Sequence, residues 1–340
     1  MQSLKKSKAV IVLLTTLFVM FSFGMVQAGD TFKIAPKGDK KITIGVMDLS
    51  SAAEINAIYN KWHREKAAER GWKCQIFDLN SRYTQAPSIM DNLLAMGVDA
   101  IVTNWITAKY YEKQIKEAYE KGIPFVGIAN GTMPYGAVAE FSLLQGVAGA
   151  IPAEYLATKL NKGDEILAYW FPGMQISFIS YSAAKGIFKG FDIKIKQEVG
   201  FTGSGDARVY AYNAIKNALL ADRDKEIKGI WAYDAGPEIA RAVMESNRED
   251  IIVVTRHDTP EILRAMRKYP VLQATSAYSF VDPKLHAGVF ALLDKIFAGE
   301  EVNMKQFHGY LPGILTRDTL PPKGYYFDPN DKNFKGRKVE

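Results

Sequence analysis

Residues 99–128 read DAIVTNWITAKYYEKQIKEAYEKGIPFVGI. An apolar run of strand length, 99–103, is followed by a stretch of helical period, 107–121. Charges fill one face of that stretch and leave Tyr110, Ile115, Ala118 and Tyr119 for the other. Gly122-Ile123-Pro124 then closes the helix and opens the next strand, 124–128. The glycine accepts the left-handed conformation that ends helices, and the proline cannot continue one. Strand, helix and strand in this order imply a right-handed crossover between parallel strands.

The same unit recurs outward in both directions. Strand-length apolar runs stand at 42–47, 73–78, 165–170, 228–232, 250–254 and 271–275. Stretches of helical period lie at 54–69, 86–96, 146–160, 182–196, 206–221, 237–247, 259–268 and 283–298. Gly71 and Gly97 end helices as Gly122 does, Thr107 and Thr259 suit helix caps, and Pro260 suits a first helical turn. Eight or more units exceed one doubly wound sheet. The expected fold is α/β, two doubly wound parallel-sheet lobes covered by helices on both faces.

The 340 residues are 48% hydrophobic, 24% charged and 12% aromatic, which excludes disordered, collagen-like and disulfide-stapled classes. Cys74 is the single cysteine, so no internal disulfide and no cysteine-built metal site can form. It sits in an apolar-flanked strand and reads as a buried, inert thiol. Residues 1–28 have the layout of a secretory signal peptide: Lys5, Lys6 and Lys8, an apolar run from Ala9 to Phe23, then Val26-Gln27-Ala28 at the cleavage point. The rival reading is an uncleaved anchor, for which the run is short. Removing the segment removes three lysines and leaves the charge near balance, which gives no case for nucleic acid. The expected location is the periplasm.

Several strings in order resemble the periplasmic sugar-binding proteins of the ribose type, from about residue 41 to about 317. In the first half these are ERGW, MGVDAIVTN and AYEKGIPFVGI; in the second, AEYLATKL, SAAKGIFKGF, KGIWAYDAGPEIARAV, VVTRHDTPEILRAM and LPGILT. The resemblance implies two lobes joined by three crossings, near 143, 278 and 306. Lobe one is then 41–143 and 279–306; lobe two is 144–278 and 307–325; 326–340 is a tail. It further implies a monomer without cofactor that captures a small polar ligand, a sugar or polyol, between its lobes. The closed form then docks to the membrane permease of an ABC transporter.

The physics of parallel sheets places a site in the same region, where loops converge at the carboxyl ends of strands. In the first lobe the polar and aromatic residues there are Asp48, Ser50, Ser51, Asn80, Tyr83, Asn104, Trp105 and Asn130. In the second they are Trp170, Phe171, Lys185 on the following helix, Tyr233, Asp234, His257, Asp258 and Tyr278. Carboxylates and amides suit vicinal hydroxyls, and aromatic faces suit the apolar side of a sugar ring. Each aspartate reads equally as a helix cap. Trp231, inside an apolar strand, reads as core.

Against the ribose-type pattern, 50–56 (SSAAEIN) lacks the paired Phe, and Ala129-Asn130 replaces Asp-Arg. Lys185 stands for Arg, Arg256-His257-Asp258 for Phe-Asp, and Tyr278 for Gln. A second, patchier resemblance is to the periplasmic partners of trimethylamine-N-oxide sensor kinases, carried by RYTQ (82–85), Pro172-Gly173, Asn130 and LPPKGYYF (320–327). It implies the alternative of a sensory clamp, with aromatics caging a methylated amine and a kinase or chemoreceptor reading the closure.

No catalytic constellation appears. His63, His257, His286 and His308 are scattered without metal spacing. There is no Gly-x-Ser-x-Gly elbow and no P-loop. GFTGSGDAR (200–208) reads as a strand-to-helix loop. The expectation is a binding protein, not an enzyme.

Overall fold

The structure is a computed structural model that describes residues 30–202, 206–278, 282–323, 325–326 and 337–338. Residues 1–29, with the segment expected to be a signal peptide, most of the expected tail, 203–205 of the loop above and 279–281 of one crossing lie outside the described residues.

Lobe one is built on six parallel strands. They are β2 (Thr43–Asp48), β3 (Lys73–Asp78), β4 (Ala100–Asn104), β5 (Phe125–Ile128), β6 (Ala137–Leu143) and β13 (Gln306–Tyr310), in the order β13-β6-β5-β4-β2-β3. Its helices are α1 (Glu54–Ala68), α2 (Ala86–Ala95), α3 (Glu112–Glu120) and α9 (Asp282–Phe297). Central strands are buried on both faces, as parallel strands under helices must be: every residue of β4 is buried. A short antiparallel ribbon, β1 (Thr31–Phe32) with β12 (Val302–Asn303), ties the start of the described chain to this lobe.

Lobe two repeats the plan. Its strands are β7 (Glu165–Trp170), β8 (Lys194–Gly200), β9 (Ile227–Ala232), β10 (Ile252–Arg256), β11 (Leu272–Ala277) and β14 (Gly313–Thr316), in the order β14-β11-β10-β9-β7-β8. Only β14 runs antiparallel to its neighbour. The helices are α4 (Gln145–Ala157), α5 (Gln175–Gly190), α6 (Ala207–Ala221), α7 (Gly236–Glu245) and α8 (Pro260–Lys268). α4 and α5 pack so closely that a Cβ on Gly149 would lie 2.1 Å from the Ser180 carbonyl oxygen. Trp231 is wholly buried beneath them and donates its indole N–H to Gly149 O at 3.1 Å. It is core, as its strand context predicts.

The closing glycines behave as the sequence requires, with φ of 68°, 64° and 67° at Gly71, Gly97 and Gly122. Thr259 caps α8 by accepting from Ile262 N. Thr107 makes no side-chain cap to the helical turn that follows it.

Two expectations need correction. The helix read at 182–196 starts at 175 and ends at 190, and 194–200 is β8. β8 is an edge strand whose Lys194, Lys196, Gln197 and Glu198 are all exposed, so it shows no apolar run. The third passage between the sheets comes after β13, at 311–312, and not near 306, because 306–310 pairs with β6 of lobe one.

Candidate ligand-binding cleft

Strand register sets the floor of lobe one. Asp48, the last residue of β2, lies opposite Asn104 on β4 and Asp78 on β3. Asp48 is fully buried and accepts from Asn60 Nδ2 at 2.9 Å and Ser51 Oγ at 3.2 Å. Burial pushes its carboxyl up to about 6, against the pull of those bonds. Behind it, His63 Nε2 meets Asn104 Oδ1 at 3.1 Å, and the His63 ring stands edge-on to His286 at 4.7 Å. Burial holds His63 down to about 4 and His286 well below its ordinary value, so both are neutral near pH 7.

Trp105 follows β4 with a φ of +64°. On the facing lobe His257 follows β10 with a φ of +69°. Non-glycine residues adopt this conformation at a cost of roughly 1–2 kcal/mol each. The strain turns both rings toward the space between the lobes, where their centroids lie 5.6 Å apart. Tyr59 backs the indole at 5.6 Å, and Tyr278 backs the imidazole at 4.7 Å. Burial, then Arg256, keeps His257 well below its usual range.

Lobe two contributes a buried cation that the sequence reading mentioned without assigning it a role. Arg256 ends β10 and has no exposed surface. It donates from Nε to Tyr278 OH at 2.7 Å and from Nη2 to Gln145 Oε1 at 2.5 Å, and its Cζ lies 4.2 Å over the Tyr233 ring. Tyr233 also meets Phe171 edge-on. Asp234 is partly exposed; burial raises its carboxyl, and Arg208 and Arg256 pull it back. The phenol of Tyr83 in lobe one is raised by burial first and by Tyr233 next, and its ring lies 5.7 Å from Tyr110.

Among the described residues, buried polar atoms without a hydrogen-bond partner gather here from both lobes: Asp48 Oδ1, Asn60 Oδ1, Asn104 Nδ2 and Trp105 Nε1 from lobe one, Arg256 Nη1 and His257 Nδ1 from lobe two. Buried polar groups are ordinarily satisfied, so a cluster of open ones drawn from both lobes marks a place built for a polar guest.

The remaining candidates fall elsewhere. Asn130 spends its side chain inside lobe one, accepting from Ile106 N at 3.2 Å and donating to Thr103 Oγ1 at 2.6 Å. Asp258 accepts Tyr278 N–H at 2.7 Å across 20 residues of chain, which is not the helix cap expected as its alternative. Lys185 is exposed, pairs with Glu198 of edge strand β8 at 3.0 Å, and joins none of these groups. Cys74 is half-buried, and burial lifts its thiol to about 11, consistent with inertness.

The lobes also bond to each other at two rims. Glu54 accepts Glu261 N–H at 2.7 Å and approaches Arg264 at 3.4 Å. On the other side Tyr110 OH donates to Gly173 O at 3.2 Å, and Gln175 N donates to Thr107 Oγ1 at 3.2 Å. Among the described residues no three acidic, histidine or cysteine side chains gather around a metal-sized space, and no helix is long and apolar enough to cross a membrane.

Comparison with known proteins agrees with this geometry. The family model of the periplasmic binding protein domain matches residues 55–287. The ribose import binding protein RbsB of Bacillus subtilis (strain 168) is 24% identical over 252 residues, 73% of this chain and 80% of that protein. A Caulobacter myo-inositol binding protein, solved with myo-inositol, matches with a TM-score of 0.74 at 17% identity, over 84% of this chain and 97% of the other. A sugar ABC transporter protein from Yersinia enterocolitica matches with a TM-score of 0.77 at 18% identity, over 92% and 95%. Two parallel-sheet lobes with a polar gap at their strand ends are the type I architecture of solute-binding proteins, which are not enzymes. The chain belongs to the periplasmic binding protein family.

Proposed function

We propose that this protein captures a small polyhydroxylated solute, a sugar or polyol, between its lobes in the periplasm and delivers it, as a monomer, to an ABC-type permease. The observation that supports the reading is the cluster of open buried polar atoms contributed by both lobes. Asp48 supplies an acceptor, Trp105 and Arg256 supply donors, and the Trp105, Tyr233 and Tyr83 rings supply apolar faces. That mixture suits a ring or chain bearing hydroxyls. A solute touching both lobes favours the closed arrangement through contacts it makes in that arrangement alone. The family and the sugar and inositol proteins named above support the same class. A cationic methylated amine fits less well, because the Tyr233 face that would receive it is already covered by the Arg256 guanidinium.

Thermal-shift screening of the processed protein tests the reading. A sugar or polyol at a hundred times its dissociation constant should add about 2.7 kcal/mol of stability. Response to methylated amines alone would overturn the substrate class. Co-purification with a histidine kinase in place of a permease would overturn the transport role.

A further inference from the structure

Arg256 is a buried cation whose hydrogen bonds go to neutral groups alone among the described residues: Tyr278 OH, Gln145 Oε1 and the Tyr233 side chain. Arg248 shows what this fold otherwise does with a buried guanidinium. At 3% exposure it takes Asp222 at 2.9 Å and Asp250 at 2.9 Å. Arg256, at 0%, forms no ion pair among the described residues and leaves Nη1 open. Asp234 acts on it through space without a hydrogen bond, and belongs as much to Arg208. A buried charge without an anionic partner is costly, and the usual remedy is a bonded carboxylate.

A second open donor stands nearby. Trp105 Nε1, on a side chain 5% exposed, belongs to the indole that touches His257, the residue next to Arg256. Two open donors, one of them charged, ask for an anionic acceptor. The acceptor groups left for hydroxyls are the Asp48 carboxylate, whose Oδ1 is open, and Asp234.

We infer that the solute is a sugar acid, a polyhydroxylated monocarboxylate, whose carboxylate accepts from Arg256 Nη1 and Trp105 Nε1 while its hydroxyls face Asp48. This inference rests on the reading of the cleft as a polyol site and narrows it. With Asp234 shared with Arg208, one guanidinium is left to meet a single negative charge, and Asp48 opposes the second charge of a phosphate dianion.

The test is titration calorimetry of the processed protein with D-gluconate, D-glucuronate and D-galacturonate against D-glucitol, D-glucose, D-galactose and D-glucose 6-phosphate. At least one acid should bind roughly thirtyfold or more tighter than its neutral counterpart, the scale of a hydrogen bond to a charged group. Arg256→Gln should erase that preference while changing neutral binding only a few-fold. If that variant does not fold, Trp105→Phe serves, because it keeps the ring and loses the N–H; acid binding should drop about tenfold and neutral binding less. Neutral sugars binding as tightly as the acids, or the phosphate binding best, would overturn the sugar-acid assignment and leave the polyol reading standing. Silence from the whole panel would overturn both.

Discussion

The indole of Trp105 meets the imidazole of His257 nearly at right angles, at 75° with 5.6 Å between centroids, and the two residues follow the ends of strands in different lobes. Each ring is held from behind by a tyrosine of its own lobe. The contact makes the cleft a junction of two rigid supports, and several expectations follow from its surroundings.

Trp105 does two jobs that substitution can separate. Trp105→Phe keeps the contacts with Tyr59 and His257 and removes the open N–H, so solute affinity should fall about five- to tenfold with little change in melting temperature. Trp105→Ala removes a side chain 95% buried and should cost about 3 kcal/mol or more of stability even without solute. Calorimetry and thermal unfolding on both variants check the split. Equal, small effects on stability would mean that the indole is not structural.

The buried histidine pair should make the fold acid-sensitive. His63 is lowered from 6.5 to about 4, so the folded state binds its proton more weakly than the unfolded state. Its contribution is complete above 6.5 and is lost as pH falls toward 4; by linkage the loss is about 2 kcal/mol at pH 5. His286 is lowered in the same direction and has both ring nitrogens open among the described residues, beside Tyr59, Trp62 and His63. His286→Phe keeps an aromatic ring there and removes one proton site. Its melting temperature should fall less than the parent's between pH 7 and pH 5.

Glu140 sets the opposite slope. It is 2% exposed and accepts from Asn130 N at 2.6 Å and Gly131 N at 3.1 Å, and burial lifts it to about 8. The folded state therefore prefers the neutral acid, and stability is lost as pH rises from 4.5 toward 8. Glu140→Gln retains an oxygen for both N–H groups and does not titrate. It should be more stable than the parent by roughly 2–4 kcal/mol at pH 8, with the difference shrinking toward pH 5. Denaturant unfolding at the two pH values reads this directly.

Gly149 carries the α4–α5 packing of lobe two. Because a Cβ there would meet backbone of Ser180 at 2.1 Å, no side-chain movement relieves it. Gly149→Ala should cost about 2 kcal/mol or more, or prevent folding. Gly186→Ala, on α5 with nothing within 4 Å of its Cβ, should be neutral or stabilising.

Much of the fold was legible because buried parallel strands announce themselves as short apolar runs. β4 reads AIVTN and is buried throughout. β13 escaped the reading because its positions alternate between exposed and half-covered, β8 because most of its residues are exposed and it follows a helix without a clear break, and β6, though buried throughout, because Glu140 and Ser142 interrupt its apolar run. For the candidate site, Asp48, Trp105 and His257 were legible from position alone, as polar or aromatic residues just beyond strands. Lys185 was carried over from the family pattern, and its helix turns it instead toward Glu198. Arg256 was passed over because it closes the apolar run IIVVTR, where a charged end reads as a strand terminus reaching solvent. Glu54 and its partners Glu261 and Arg264 lie some 207 and 210 residues apart in the chain, a separation no local pattern reports.

The bonds at the two rims bear on time as well as on shape. Glu54 to the α8 amide, Tyr110 to Gly173 and Gln175 to Thr107 join the lobes without passing through the solute. A guest cannot leave until those bonds part, so every exit passes through an opening step of the protein, to which the guest's own contacts with both lobes add. A membrane receptor that pries at Glu54 or Tyr110 would discharge the cargo without ever competing for the groups that hold it.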